Sequence, residues 1–219
     1  MEHTLIYPPG HGNEYVGLVP AGQHTGTGVF RCVVNGNVYC GEYQGRHMHG
    51  VGTHTYATGC VYRGQLQEGN AEGHGVYECP GPNGLVYRYR GQWKGDAQEG
   101  HGGCTTDGYE YYGQWKAGIK EGHVVRMCAM VRPTFEQYEG NKRVSSVPFQ
   151  ADSPLHAGFL REAKKAEACR AGAPHLRWRV VSRLMRCTGG GNCTITGSSC
   201  SGAHRAACAD ASVGARTRW

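Results

Sequence analysis

Three copies of one triplet hold the residues of this 219-residue chain best suited to chemistry: Glu72-Gly73-His74, Glu99-Gly100-His101 and Glu121-Gly122-His123. A carboxylate beside an imidazole can work as an acid–base pair or contribute metal ligands. In an extended strand, residues two apart share a face, so glutamate and histidine would lie together, opposite the glycine between them. Equivalent strands of successive hairpins are two steps apart, which puts the three imidazoles about 10 Å from one another. One zinc ion needs ligands converging at about 2 Å, and catalysis needs one concave constellation rather than a periodic row. The triplets therefore read as a solvated strand face. The alternative is a pH-responsive contact surface, since imidazole changes charge near neutral pH. The stretch RHMHGVGTH carries His47, His49 and His54, a second candidate metal set, with His47 and His49 read as a loop ahead of a strand. No catalytic, cofactor or metal residue is assigned. The Gly-x-Gly pairs complete no GxGxxG, GHGGCTTDG lacks the Walker lysine, and neither Gly-x-Ser-x-Gly nor His-Glu-x-x-His occurs.

What must position these triplets is a repeat. Tyr-x-Gly recurs at Tyr15-Gly17, Tyr39-Gly41, Tyr62-Gly64, Tyr89-Gly91, Tyr111-Gly113 and Tyr138-Gly140, with steps of 24, 23, 27, 22 and 27 residues. Four residues after the first five tyrosines stand Val19, Tyr43, Leu66, Trp93 and Trp115. A later Gly-x-Gly follows in each of the first four units: Gly26 and Gly28, Gly50 and Gly52, Gly73 and Gly75, Gly100 and Gly102. The fifth unit keeps Gly122 but has Val124 in the second place, and the sixth is an opening half. Period-two spacing puts tyrosine, glycine and the bulky residue on one strand face. Both glycines of the later pair read as a bare patch over which a ring from the neighbouring strand lies. Polar segments such as KGDAQEG form the turns, so each unit is a β-hairpin. Extra residues at ECPGPNG and around Pro133 are expected to lengthen loops and so account for the two 27-residue steps.

This pattern resembles the MORN (membrane occupation and recognition nexus) repeat, Tyr-x-Gly-x-Trp-x-x-Gly-x-x-x-Gly-x-Gly, from about Tyr15 to Val144. The resemblance implies an all-β chain, an elongated meander of stacked hairpins, often dimerising end to end. It implies protein partners in cytoskeletal, flagellar or membrane-associated assemblies, and no enzymatic activity. The structural repeat residues are Tyr39, Gly41, Tyr62, Gly64, Gly73, Gly75, Tyr89, Gly91, Trp93, Gly100, Gly102, Tyr111, Gly113, Trp115 and Gly122. The first unit has Val19 in place of the aromatic, the middle glycine sits one position early at Gly45 and Gly95, and less regular packing is expected in these three units.

Charge and composition divide the rest. Residues 1–14 read as a leader, 15–148 as five repeats and a partial sixth, 149–187 as a basic segment with helical pattern, and 188–219 as a disordered tail. Residues 1–148 hold 12 Lys+Arg and 13 Asp+Glu, against 11 and 4 in 149–219. Ser153 signals the start of a helix from about Leu155 to Ala171. In HLRWRVVSRLMRC, Leu176, Val180 and Leu184 form a stripe with Arg179, Arg183 and Arg186 opposite, Arg177 interrupting and Trp178 beside it. Arg177, Trp178, Arg179, Arg183 and Arg186 are thus candidate contacts for an anionic membrane surface or a protein partner. Alternatively the helix caps the ribbon, or the segment forms no stable helix. Cys187, Cys193, Cys200 and Cys208 fit no common zinc spacing. The 11 cysteines are odd in number and lack CxxC pairs, and MEHTLIYPPG has no secretory pattern, so reduced thiols in a cytoplasmic protein are expected. No apolar run approaches the roughly 18 residues of a membrane span, and no cofactor or nucleic-acid partner is expected. Three functions follow: a scaffold binding proteins, a peripheral binder of anionic lipid through the basic segment, and a targeting module for an enzyme on another chain.

Overall fold

The computed structural model describes residues 3–6, 13–17, 26–45, 47–84, 86–106, 108–129, 131–150 and 152–168. Arg177, Trp178, Arg179, Arg183, Arg186 and the whole of 188–219 lie outside the described residues. The strands are β1 (His3–Ile6), β2 (Asn13–Gly17), β3 (Gly26–Cys32), β4 (Val38–Gln44), β5 (His47–Thr55), β6 (Val61–Gln67) and β7 (Asn70–Pro80). They continue as β8 (Val86–Lys94), β9 (Ala97–Thr106), β10 (Tyr109–Lys116), β11 (Ile119–Cys128), β12 (Val131–Glu139) and β13 (Lys142–Pro148), followed by helix α1 (Pro154–Ala168). All 13 strands form one antiparallel sheet in chain order. The meander of hairpins expected from the repeat is thus present, and it extends at both ends. β1 falls in the expected leader, where His3 to Ile6 pair with Gly17 to Glu14.

The hairpin turns explain the shifting glycine. Glu68 and Gly69, Gly95 and Asp96, Ala117 and Gly118, and Gly140 and Asn141 all have positive φ, between 48° and 89°. These are two-residue loops of the left-handed kind that suits the twist of paired strands. Either position accepts glycine, so Gly95 is not an irregularity. Lys94 pairs with Ala97 just as Gln67 pairs with Asn70 and Lys116 with Ile119. Gln44 and His47 flank Gly45 in the same way. The expected looser packing of these two units is corrected on this ground.

The turns also correct the register of the sixth unit. Gly140-Asn141 occupies the place of Gly95-Asp96, and Asn141 N donates to Lys120 O (3.0 Å) as Asp96 N donates to Ala71 O (3.1 Å). Counting back from the turn, Thr134 stands where Tyr89 does, Glu136 where Gly91 does, and Tyr138 where Trp93 does. Tyr138-x-Gly140 is therefore not the repeat anchor. The last step shortens to 23 residues, in line with its neighbours. No lengthened loop surrounds Pro133, which lies within β12, while the loop at ECPGPNG is present and holds a 3-10 turn at Pro82–Gly84.

Each face of the sheet has its own core. One buries Tyr15, Tyr39, Tyr43, Tyr62, Leu66, Tyr89, Trp93 and Trp115. The other, at the C-terminal end, packs Tyr112, Val125, Met127, Phe135 and Phe149 against Phe159, Leu160 and Ala163 of α1. The helix begins as predicted, with Ser153 O accepting from Ala157 N (2.8 Å). One expectation about cysteine fails. Cys60, just ahead of β6, and Cys79, within its neighbour β7, are joined as a disulfide, while Cys32, Cys40 and Cys128 remain thiols.

Candidate functional site

The repeat residues converge on one face as two transverse rows. In register across the sheet run Gly17, Gly28, Gly41, Gly52, Gly64, Gly75, Gly91, Gly102 and Gly113. Beside them run Tyr15, Phe30, Tyr39, His54, Tyr62, Tyr77 and Tyr89. The Tyr89 ring lies across its own Gly91 and across Gly102 of the next strand, within 2.8 Å of where a β-carbon would stand at either. Tyr39 covers Gly41 and Gly52, and Tyr62 covers Gly64 and Gly75, in the same way. Each ring leans over the bare backbone and reaches a carbonyl beyond it. Tyr39 Oη donates to Glu42 O (2.9 Å), Tyr62 Oη to Gln65 O (2.7 Å) and Tyr89 Oη to Gln92 O (3.1 Å). A buried phenol is thereby satisfied. Burial also pushes the Tyr39 phenol up to about 12, with the Glu42 carboxylate adding to the rise.

The bulky residues knit the units together edge to face. Trp93 meets Tyr62 at 5.3 Å and Tyr89 at 5.2 Å, and Trp115 meets Tyr89 at 5.2 Å. Tyr43 does the same between Tyr15 and Tyr39, at 5.3 and 5.1 Å. Trp115 Nε1 also donates to Gly102 O (3.2 Å).

The two glycines of each Gly-x-Gly pair have different roles, which corrects the single bare patch. Gly50, Gly73, Gly100 and Gly122 have φ of 60°, 66°, 64° and 72°. They sit at bulges, where the pairing jumps from Gly64↔Gly75 to Leu66↔Ala71 and from Gly91↔Gly102 to Gln92↔Glu99. A β-carbon there would strike the Gln65, Gln92 or Gln114 amide, or Glu42 in the second hairpin. Those side chains accept from the next backbone N–H: His74 N to Gln65 Oε1 (2.7 Å), His101 N to Gln92 Oε1 (2.7 Å) and His123 N to Gln114 Oε1 (3.0 Å). The recurrent Gln three residues after the tyrosine was missed in sequence. Its signal was there in YRGQL, YRGQW and YYGQW.

The bulge also breaks the strict alternation assumed for Glu-Gly-His. Glu72 Oε2 accepts from Gly95 N (3.0 Å), Glu99 Oε2 from Ala117 N (3.0 Å) and Glu121 Oε2 from Gly140 N (2.8 Å). Each donor opens the turn of the following hairpin. The glutamates are half-buried clamps between repeats rather than a solvated face. His47 and His49 lie within β5, not in a loop, and His54 packs its ring 4.2 Å from Tyr56. Among the described residues no group of three His, Cys, Asp or Glu side chains is placed to hold a metal ion.

At the C-terminal end the rows change. Val124 fills the space beside Gly113 that a tyrosine ring takes elsewhere, and the fully buried Tyr112 faces the helix side instead. Tyr111 lies half-buried under Lys120 Nζ at 4.2 Å, and Tyr138 under the same amine at 4.7 Å. Burial pulls the Lys120 amine down, against the opposing pull of Cys104 and Glu136. In the glycine's place stands Glu136, fully buried, with Arg126 at 3.2 Å and Arg143 at 3.1 Å, and with Tyr138 Oη donating to it (2.9 Å).

The family model of the MORN repeat matches residues 39–61, 62–81, 89–108 and 111–123, the second to fifth hairpin units. No curated protein matches the chain significantly.

Proposed function

Because residues 39–123 make this chain a MORN repeat protein, and MORN repeats are protein- and membrane-interaction motifs, we propose that it is a non-enzymatic scaffold or adaptor that binds protein partners. The observation that supports this is a single sheet with a free edge. Every residue of β13 is exposed, and among the described residues its outer edge pairs with no strand. Such an edge offers unpaired N–H and C=O groups to an added strand. A second copy can take that place, which would make the end-to-end homodimer that the family resemblance implies. Cytoskeletal, flagellar or membrane-associated assemblies in the cytoplasm are the settings we propose on the same resemblance. Affinity purification from the native cell tests this, with the full chain and with residues 1–168 as bait. A shared set of proteins retained by both baits is expected. Nothing retained by either would contradict the scaffold.

The second reading is peripheral binding of anionic lipid, and charge favours it. All of the basic excess lies in 149–219, with 11 Lys+Arg against 4 Asp+Glu. Attraction near an anionic surface is worth about 1 kcal/mol per basic residue. Removing Arg179, Arg183 and Arg186 together would then weaken vesicle cosedimentation on the order of a hundredfold, and salt would do likewise. If neither the full chain nor the triple variant sediments with anionic vesicles, this second reading fails.

A further inference from the structure

At the C-terminal end of the aromatic face cations lie over rings, with the Glu136 carboxylate buried among them, and toward the N-terminal end carboxylates act on the rings. At the C-terminal end the chain seats its own cations on tyrosines: Lys120 over Tyr111 and Tyr138, and the Arg126 guanidinium 5.2 Å from the Tyr109 centroid. Toward the N-terminal end the half-buried rings of His54, Tyr56 and Tyr77 form a strip that ends on the buried Trp93. His54 meets Tyr56 at 4.2 Å, Tyr56 meets Tyr77 at 6.2 Å, and Tyr77 meets Trp93 at 6.3 Å. The charge acting there is negative. Burial pushes the Tyr56 phenol up to about 12, and the Asp96 carboxylate adds to the rise. Asp96 acts on His54 and Tyr62 as well, and Glu72 also acts on Tyr62. Rings beside a carboxylate suit a guanidinium, which stacks on aromatic faces and pairs with carboxylate.

The same chain holds a matching occupant. Residues 169–219 contain eight arginines, no lysine and one acidic residue. They follow directly on α1, whose last described residue is Ala168. Fifty residues of extended chain can span on the order of 160 Å, and thirteen strands side by side only about 60 Å. Length therefore does not limit access to β5–β8.

We propose that the strip of His54, Tyr56 and Tyr77, with Asp96 at its rim, seats arginines of the chain's own tail, the run Arg177 to Arg186 foremost. The tail then competes with any arginine-bearing partner for this face. The proposal does not depend on the scaffold reading, and its failure would leave that reading standing.

Trypsin, which cleaves after arginine, reads the seat directly in the full chain. Asp96→Asn keeps the turn, since asparagine tolerates its positive φ, and its amide oxygen can still accept from Ala71 N as Asp96 Oδ1 does (2.6 Å), so the charge is what it removes. Tyr56→Leu keeps apolar bulk and removes the ring. Each is expected to speed cleavage at Arg177, Arg179, Arg183 and Arg186 by roughly twofold to fivefold, the scale of one exposed cation–ring contact. Raised salt should narrow the gap between wild type and Asp96→Asn. As a check that leaves the ribbon intact, replacing the four arginines with glutamine should shift the His54 and Tyr56 ring proton resonances. Equal cleavage rates in all three proteins, or unmoved resonances, would overturn the proposal. Protection that vanishes on dilution would overturn the assignment to the same chain, because the occupant would then be a second copy.

Discussion

The second to fourth hairpins and the C-terminal end solve one packing problem in two ways. In the former, a glycine row admits tyrosine rings flat against the backbone, and the phenols land on bulge carbonyls. In the latter, Val124 and Glu136 take the glycine positions. The rings are displaced, a helix covers the other face, and a buried carboxylate needs two arginines. Glycine thus keeps a one-layer sheet dry on its aromatic face without buried charge. Where it is lost, charge and a second layer replace it.

The largest expected effect is at the charged end. Arg126→Met with Arg143→Met strands the Glu136 carboxylate in a fully buried position, and breaking a buried pair in this way costs about 3–5 kcal/mol. A denaturant titration should show that loss, whereas Glu136→Gln with both arginines kept should lose less. The next effect falls on the glycine row. Gly102→Val drives its side chain into the Tyr89 ring, and overpacking costs roughly 1–3 kcal/mol. Gly45→Asn, with φ of 64° and open space around it, should leave the melting curve unchanged within error. Smaller still, Glu99→Ala removes the clamp on Ala117 N and should cost about 1 kcal/mol, with faster amide exchange confined to that turn.

The smallest effect is a pH slope. Burial lowers the His54 pKa from 6.5, outweighing the upward pull of Asp96. The unfolded chain therefore takes up the proton first, and stability falls as pH drops through about 6.5 toward the lower folded value. His54→Phe should flatten that part of the stability profile, and an unchanged profile would remove His54 as its source.

Much of the ribbon is legible in sequence because period-two alternation is a strong constraint. Tyr89, Gly91 and Trp93 share a face in any strand. What alternation cannot express is a bulge. Gly73, Gly100 and Gly122 look like Gly75 and Gly102 in sequence, yet their positive φ turns Glu72, Glu99 and Glu121 toward the next hairpin. The clamp was invisible for a related reason: its acceptor and its N–H donor lie in different repeats, 18 to 23 residues apart. Tyr138-x-Gly140 matched the anchor by residue type alone, and only the turn geometry shows that Thr134 holds the anchor position. Cys60 and Cys79 carry no spacing motif. Their pairing follows from register between β6 and β7.

The central claim is that a tyrosine ring and the glycine row beneath it form one unit, and a pair of double-mutant cycles tests it. Tyr89→Leu with Gly102→Ala is compared with Tyr111→Leu and Gly113→Ala, each variant read by denaturant titration. At the first pair the ring and the new methyl compete for one space, so removing the ring should relieve most of the cost of the alanine. The coupling there should reach about 1 kcal/mol or more. At the second pair Val124 has already displaced the ring, and the two changes should add within about 0.5 kcal/mol. Additivity at Tyr89 and Gly102 would contradict the account.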